Sequence, residues 1–237
     1  MLSRSVARVF LYICLVVTLA AGATGAVTRG GAEPAAGFYE DALARFNKGE
    51  YKAAIIQIKN AIQKDPKDLA ARILIARAYL KLENGASAEK ELSLARRHGA
   101  DESFFLVPLG RAYLLQGKYD KVLDRLRTGS GDHDREADIL ILRGQAHLAK
   151  RSLGLADGAF AKAIRLRADE AAPYLGQARV RLGRGETAAA GEKAGKARSL
   201  ELKNAEAWFI SGEVQRVSPD RKAARASYNK AIGLESG

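Results

Sequence analysis

From residue 35 onward, small, large and polar positions recur every 34 residues, in blocks at 35–68, 69–102, 103–136, 137–170, 171–204 and 205–237 with no insertion between them. One column holds Ala42, Ala76, Gly110, Gly144, Ala178 and Gly212. A second holds Ala54, Ala88, Val122, Ala156, Ala190 and Ala224, and a third Ala61, Ala95, Gly129, Ala163, Ala197 and Ala231. Only Val122 exceeds a methyl group. Larger residues fill a fourth column, Ile58, Leu92, Leu126, Phe160, Ala194 and Tyr228, four places beyond the second and so on the same helical face. Small side chains at fixed spacing are what closely crossing helices need, because anything bulkier forces the axes apart. A turn divides each block: Lys48-Gly49-Glu50, Glu83-Asn84-Gly85, Gln116-Gly117-Lys118, Lys150-Arg151-Ser152, Gly183-Arg184-Gly185 and Ser218-Pro219-Asp220. Most contain the Gly that suits the left-handed end of a helix, and the last uses Pro. The pattern predicts an all-α chain of six helix-turn-helix hairpins.

Composition agrees with that pattern. The 237 residues are 47% hydrophobic, with 23 Gly, 5 Pro and one Cys, which excludes collagen-like, Pro-rich and disulfide-stapled classes. The segment before the repeat has its own character. Arg4 and Arg8 precede an uncharged run, which gives way to Ala21-Gly22-Ala23, the order of an export signal over residues 1–26. Residues 9–27 are also long enough for an N-terminal anchor. Cys14 sits inside the apolar run rather than after small residues at its end, so lipid attachment there is disfavoured. Residues 27–34 form a short lead-in. Cleavage would remove Arg4 and Arg8 and no acid, taking the net charge from +12 to +10, so the basic excess belongs to the repeats.

The period and the order of small and large positions resemble the tetratricopeptide repeat. The first block matches most clearly through Gly49-Glu50-Tyr51, Ala54, Ala61 and Asp65-Pro66. The resemblance spans residues 35–237 and implies a right-handed superhelical solenoid whose first helices line a concave face. The run YEDALARFNKGEYKAAIIQIKNAIQKDPKDLAARILIARAYL, with AEKELSLARRHGAD and PLGRAYLLQGKYDKVL after it, is similar to the opening of the TPR-repeat lipoproteins linked to PEP-CTERM protein sorting and exopolysaccharide production in Gram-negative bacteria. That narrower resemblance supplies a context in the envelope rather than a reaction. The carboxylate clamp of some tetratricopeptide domains is not matched, since aliphatic and Arg residues replace its inward Lys and Asn.

Residues three or four apart within a first helix share a face, so the expected groove can be read column by column. Tyr39, Ile73, Val107, Ile141, Leu175 and Phe209 form one column, and Leu43, Arg77, Arg111, Gln145, Arg179 and Glu213 the next. Phe46, Leu80, Leu114, Leu148, Leu182 and Arg216 form a third, which reads more naturally as packing shared between hairpins than as free groove. The candidate partner-binding residues are therefore Tyr39, Ile73, Arg77, Lys81, Arg111, Gln145, Arg179 and Phe209. Their aliphatic trough with a ladder of guanidinium groups suits an extended protein segment carrying acidic and apolar residues. A solvated face with its arginines paired to neighbouring acids is the alternative.

Other features carry less. Gly129-Ser130-Gly131-Asp132-His133-Asp134 lacks both calcium-loop spacing and a P-loop Lys, and is expected to be a connector. His98, His133 and His147 show no metal-ligand spacing, and no catalytic constellation is legible, so neither an enzyme nor a cofactor is expected. Pro108 is expected in the first turn of a shortened helix. No polar capping helix follows Ala231-Ile232-Gly233-Leu234, which leaves the last apolar face to a partner, self-association or further sequence. The expected function is an exported scaffold, periplasmic or envelope-associated, with direct binding of an anionic polysaccharide as the second reading. Aromatic residues at 7% argue against nucleic acid, and a membrane would be met only through the N-terminal segment.

Overall fold

The computed structural model describes residues 35–129, 131–217 and 221–235, with nothing stated for the Glu235 side chain. The expected export signal at 1–26 with Cys14, the lead-in at 27–34, Ser130 and the Ser218-Pro219-Asp220 turn lie outside the described residues.

Those residues form helices and no strand, in chain order α1 (Ala35–Asn47), α2 (Tyr51–Lys64), α3 (Leu69–Lys81), α4 (Gly85–Arg97), α5 (Glu102–Leu115), α6 (Tyr119–Arg125), α7 (His133–Ala149), α8 (Leu153–Leu166), α9 (Ala171–Gly183), α10 (Thr187–Leu200), α11 (Ala205–Arg216) and α12 (Arg221–Glu235). Each odd-numbered helix packs on the even-numbered helix after it and on the next odd-numbered one. Even-numbered helices do not pack on one another. A layer in direct contact along its length is the inner side of a curve, so the odd helices make the inner wall and the even helices the outer.

The small columns lie where the helices meet. Ala42, Ala54, Ala76, Ala88, Ala156, Ala178 and Ala190 have no exposed surface. Opposite them the fourth column fills the gap, and Ile58, Leu92, Leu126, Phe160 and Ala194 are equally enclosed. Size is matched pair by pair: a methyl group on Gly144 would lie 2.6 Å from the Phe160 ring, and one on Gly212 would lie 2.6 Å from Tyr228. The core is accordingly a row of clusters along the array rather than one centre, each built around such a meeting.

Four local expectations are corrected. Pro108 lies within α5, not in its first turn. Asp101 caps that helix by accepting from Ser103 N at 2.8 Å, and buried Phe105, Leu106 and Leu109 hold it across the missing proline donor. The second helix of block three ends early, as the Thr128-Gly129-Ser130-Gly131-Asp132 run implies, but already at Arg125, so Gly129 lies outside any helix and its column fails there. Arg143 of α7 closes that short helix, donating to the Leu123 carbonyl at 2.6 Å and the Leu126 carbonyl at 2.9 Å. The connector is also shorter than the sequence suggests. Asp132 caps α7, accepting from Asp134 N and Arg135 N, and His133 and Asp134 are already helical. Finally, the left-handed turn position is held by Gly49, Gly117 and Gly185 but by Glu83 and Arg151 in blocks two and four. Gly85 instead opens α4, where a side chain would meet the Ala112 carbonyl at 2.7 Å. Among the described residues no helix is long and apolar enough to cross a membrane.

Candidate binding groove

Three adjoining hollows run along the inner wall. The first, about 370 Å³, lies among α1, α3 and the start of α5 and is walled by Tyr39, Leu43, Ile73, Leu74 and Phe104, with Arg77 at its edge. The second, about 810 Å³, begins at the same Arg77 and passes Lys81, Pro108, Arg111 and Gln145 to reach Asp138 and Glu170. A third, about 430 Å³, shares Gln145 with it and continues past Arg179 to Glu201 and Glu206. The structure thus brings seven of the eight candidate residues onto one continuous surface. Phe209 stands apart: it lines none of the three hollows, and its ring packs on Tyr228 with centroids 5.8 Å apart.

The guanidinium groups of the expected ladder have different surroundings. Arg77 lies over the Phe46 ring, 5.4 Å from its centroid, a cation-π contact that fixes its direction. Arg179 is paired with Glu206 at 3.0 Å, the solvated alternative realised at that position. Arg111 and Lys81 are exposed and, among the described residues, have no hydrogen bond or ion pair. The free cationic character of the groove is therefore concentrated on α3 and α5.

Beyond Arg111 the sign changes. Asp138 and Glu170 converge on one cation, Arg167, whose Nη2 donates to Asp138 at 2.8 Å and lies against Glu170. Glu170 is the residue before α9 but makes no side-chain cap to it. Burial raises its carboxyl above the ordinary range, an effect that Arg167 only partly offsets. In the first hollow, burial and the carboxylates of Asp68 and Glu40 raise the Tyr39 phenol, so it stays protonated at neutral pH and able to donate. Sequence reasoning missed this acidic stretch, because Asp138 and Arg167 meet across 29 positions and no local spacing announces them. It also missed Phe104, an aromatic ring 64% exposed at the first hollow. The Leu column does both things considered for it: Leu80 and Leu114 pack against the core and line the second hollow.

Residues 35–104 match the family model of the tetratricopeptide repeat. The rest of the array continues its period and its hairpin packing. None of the curated proteins matches the sequence. Similar solved structures agree with the tetratricopeptide architecture. A structure from work on the functional characterisation of Pseudomonas aeruginosa PilF is 18% identical, covering 86% of this chain and 92% of that one with a TM-score of 0.63. PilW, described as a widely conserved type IV pilus biogenesis factor, is 16% identical, with 85% and 90% covered and a TM-score of 0.61. A chain of the APC/C hetero-tetramer Cut9-Hcn1 is 14% identical, with 86% of this chain and 41% of that one covered and a TM-score of 0.70. At such identities the likeness concerns the helical-repeat fold. The inner helices of this chain present an open trough lined by carbon, guanidinium and carboxylate groups.

Proposed function

We propose that the chain is a non-enzymatic interaction scaffold of the bacterial cell envelope that holds an extended, acid-bearing protein segment along its inner groove. The observation that carries this reading is Lys81 and Arg111, two exposed cations that line the same hollow of a continuous trough and, among the described residues, make no hydrogen bond or ion pair. A guanidinium left in this way offers its full fork to a carboxylate. The export-type order of residues 1–26 supports placement in the envelope, and the resemblance to the PEP-CTERM-linked lipoproteins supports an assembly concerned with protein sorting or exopolysaccharide production.

A direct test compares pull-downs from envelope extracts by the native chain and by the double variant Lys81→Glu, Arg111→Glu. Both positions are exposed, so the variant should keep its helical circular dichroism while losing the partner. Recovery of the same partner by both proteins would sink the groove reading. Intact mass of the exported product checks the location separately, with loss of residues 1–26 expected.

One observation favours the second reading, an anionic polymer such as acidic exopolysaccharide. The outer helices carry exposed cations without ion partners, among them Lys52, Lys59, Lys64, Lys90, Lys162 and Arg165, and α2 has no acid at all. Polymer binding through this face would fall steeply with salt and would ignore the groove substitutions.

A further inference from the structure

The three hollows differ in chemistry, and they follow one another in a fixed order. In the first, the wall is carbon from Tyr39, Leu43, Ile73, Leu74 and Phe104, and its one carboxylate, Asp101, is already engaged by the Ser103 amide and hydroxyl. Phe104 stands 64% exposed there, apolar surface that a ligand side chain would remove from water. In the middle stand Arg77, held over Phe46, and Lys81 and Arg111, which make no hydrogen bond or ion pair among the described residues; Glu83 shares their hollow and Glu170 interacts with Arg111 across it. At the far end two carboxylates, Asp138 and Glu170, contact one guanidinium, that of Arg167, and Arg111 is the next cation toward the middle. The last hollow repeats that ratio, with Glu201 and Glu206 beside Arg179.

We propose that the groove reads its protein partner in the order apolar, acidic, basic: an apolar anchor between α1 and α5, a carboxylate run over Arg77, Lys81 and Arg111, and Lys or Arg residues over Asp138 and Glu170. This rests on the groove reading given above and adds to it a sequence requirement, since a uniformly acidic segment would meet repulsion at the far end. The carboxylates must lie between the other two stretches, because the cations lie between the carbon pocket and the acids. Opposite charges placed against each pole contribute specificity through the arrangements they reject as much as through the one they accept.

The test uses dye-labelled synthetic peptides of one composition, Leu and Phe with Asp and Glu and with Lys, in two orders, and reads fluorescence anisotropy with the full chain. The apolar–acidic–basic peptide should bind about tenfold more tightly than the apolar–basic–acidic one, about 1.4 kcal/mol. Arg111→Glu should erase that preference. Ala70→Trp, which fills the first hollow from an exposed position on α3, should weaken the preferred peptide by a similar factor with the melting temperature kept. Equal affinity for both orders overturns the proposed ordering while leaving groove binding in place. Absence of binding by any peptide removes the groove reading and the ordering together.

Discussion

Phe160 shows what a single residue decides in this array. Its ring has no exposed surface and occupies the space that side chains on both Gly144 and Gly176 would need. Those glycines are helical and have no special turn to make, so their role is to leave room. Gly144→Ala should therefore cost about 1–3 kcal/mol through overpacking, read as a lower midpoint in urea. Combining it with Phe160→Leu should recover part of that loss, because the smaller side chain vacates the clash. If the double variant is as unstable as the sum of the two single ones, the clash is not the cause. This level of the design is readable in sequence because the facing residues are sixteen apart in every block. The turns were less readable: Gly85 marks the second turn, yet Glu83 takes its left-handed position, and in the Gly-free fourth turn Arg151 does so, each without glycine's freedom because the hairpin around it fixes the backbone.

At the level of elements, the weakest link is α6, a helix of 7 residues where other second helices have 13 or more. Backbone amides serve the Val122 and Arg125 carbonyls, and Arg143 of the next hairpin supplies the donor for Leu123 and for Leu126 just past the helix end. Arg143→Ala should destabilise the chain by about 1–2 kcal/mol and speed amide exchange across residues 119–126 more than elsewhere. Uniform acceleration over the whole array would instead mean that α6 is not a local unit. Helix existence was plain from the period and the Thr128–Asp132 run announced an early end, but not the stop at Arg125, since the side chain that closes it lies 20 positions away and bonds to backbone, a relation with no residue signature of its own.

Across the whole molecule, neighbouring hairpins are tied by charged groups that the sequence does not pair. Glu89 of α4 accepts from Gln116 at 2.8 Å, Lys118 at 2.5 Å and Lys121 at 3.3 Å, joining the second hairpin to the third. Burial alone would raise its carboxyl, but these donors together outweigh it and hold the group below the ordinary carboxylate range. The stability it contributes is complete above the unfolded carboxylate value and is lost as pH falls through its lowered folded value. Glu89→Gln should cost about 1–2 kcal/mol at pH 7, and the gap from the native chain should close as acid unfolding is approached. A gap that persists unchanged in acid would show that charge is not what joins these hairpins. The candidate site was legible to the same extent. One column held Arg77, Arg111 and Gln145, with Lys81 added beside it, and these four line one hollow, yet the neutralisation of Arg179 by Glu206 and the acids beyond Arg111 depend on contacts between hairpins that only the fold brings about.

The glycine pockets also bear on how such an array can be reshuffled. Gly212 and the ring it admits belong to one block, so that contact would travel with its hairpin, although Ala207 and Ile210 of the same hairpin share a core with the fifth block. Phe160 breaks the pattern by lodging against Gly176 of the following block as well as Gly144 of its own. Transplanting the fourth hairpin alone would set its aromatic ring against a foreign neighbour, so a graft should keep its stability better when blocks four and five move together.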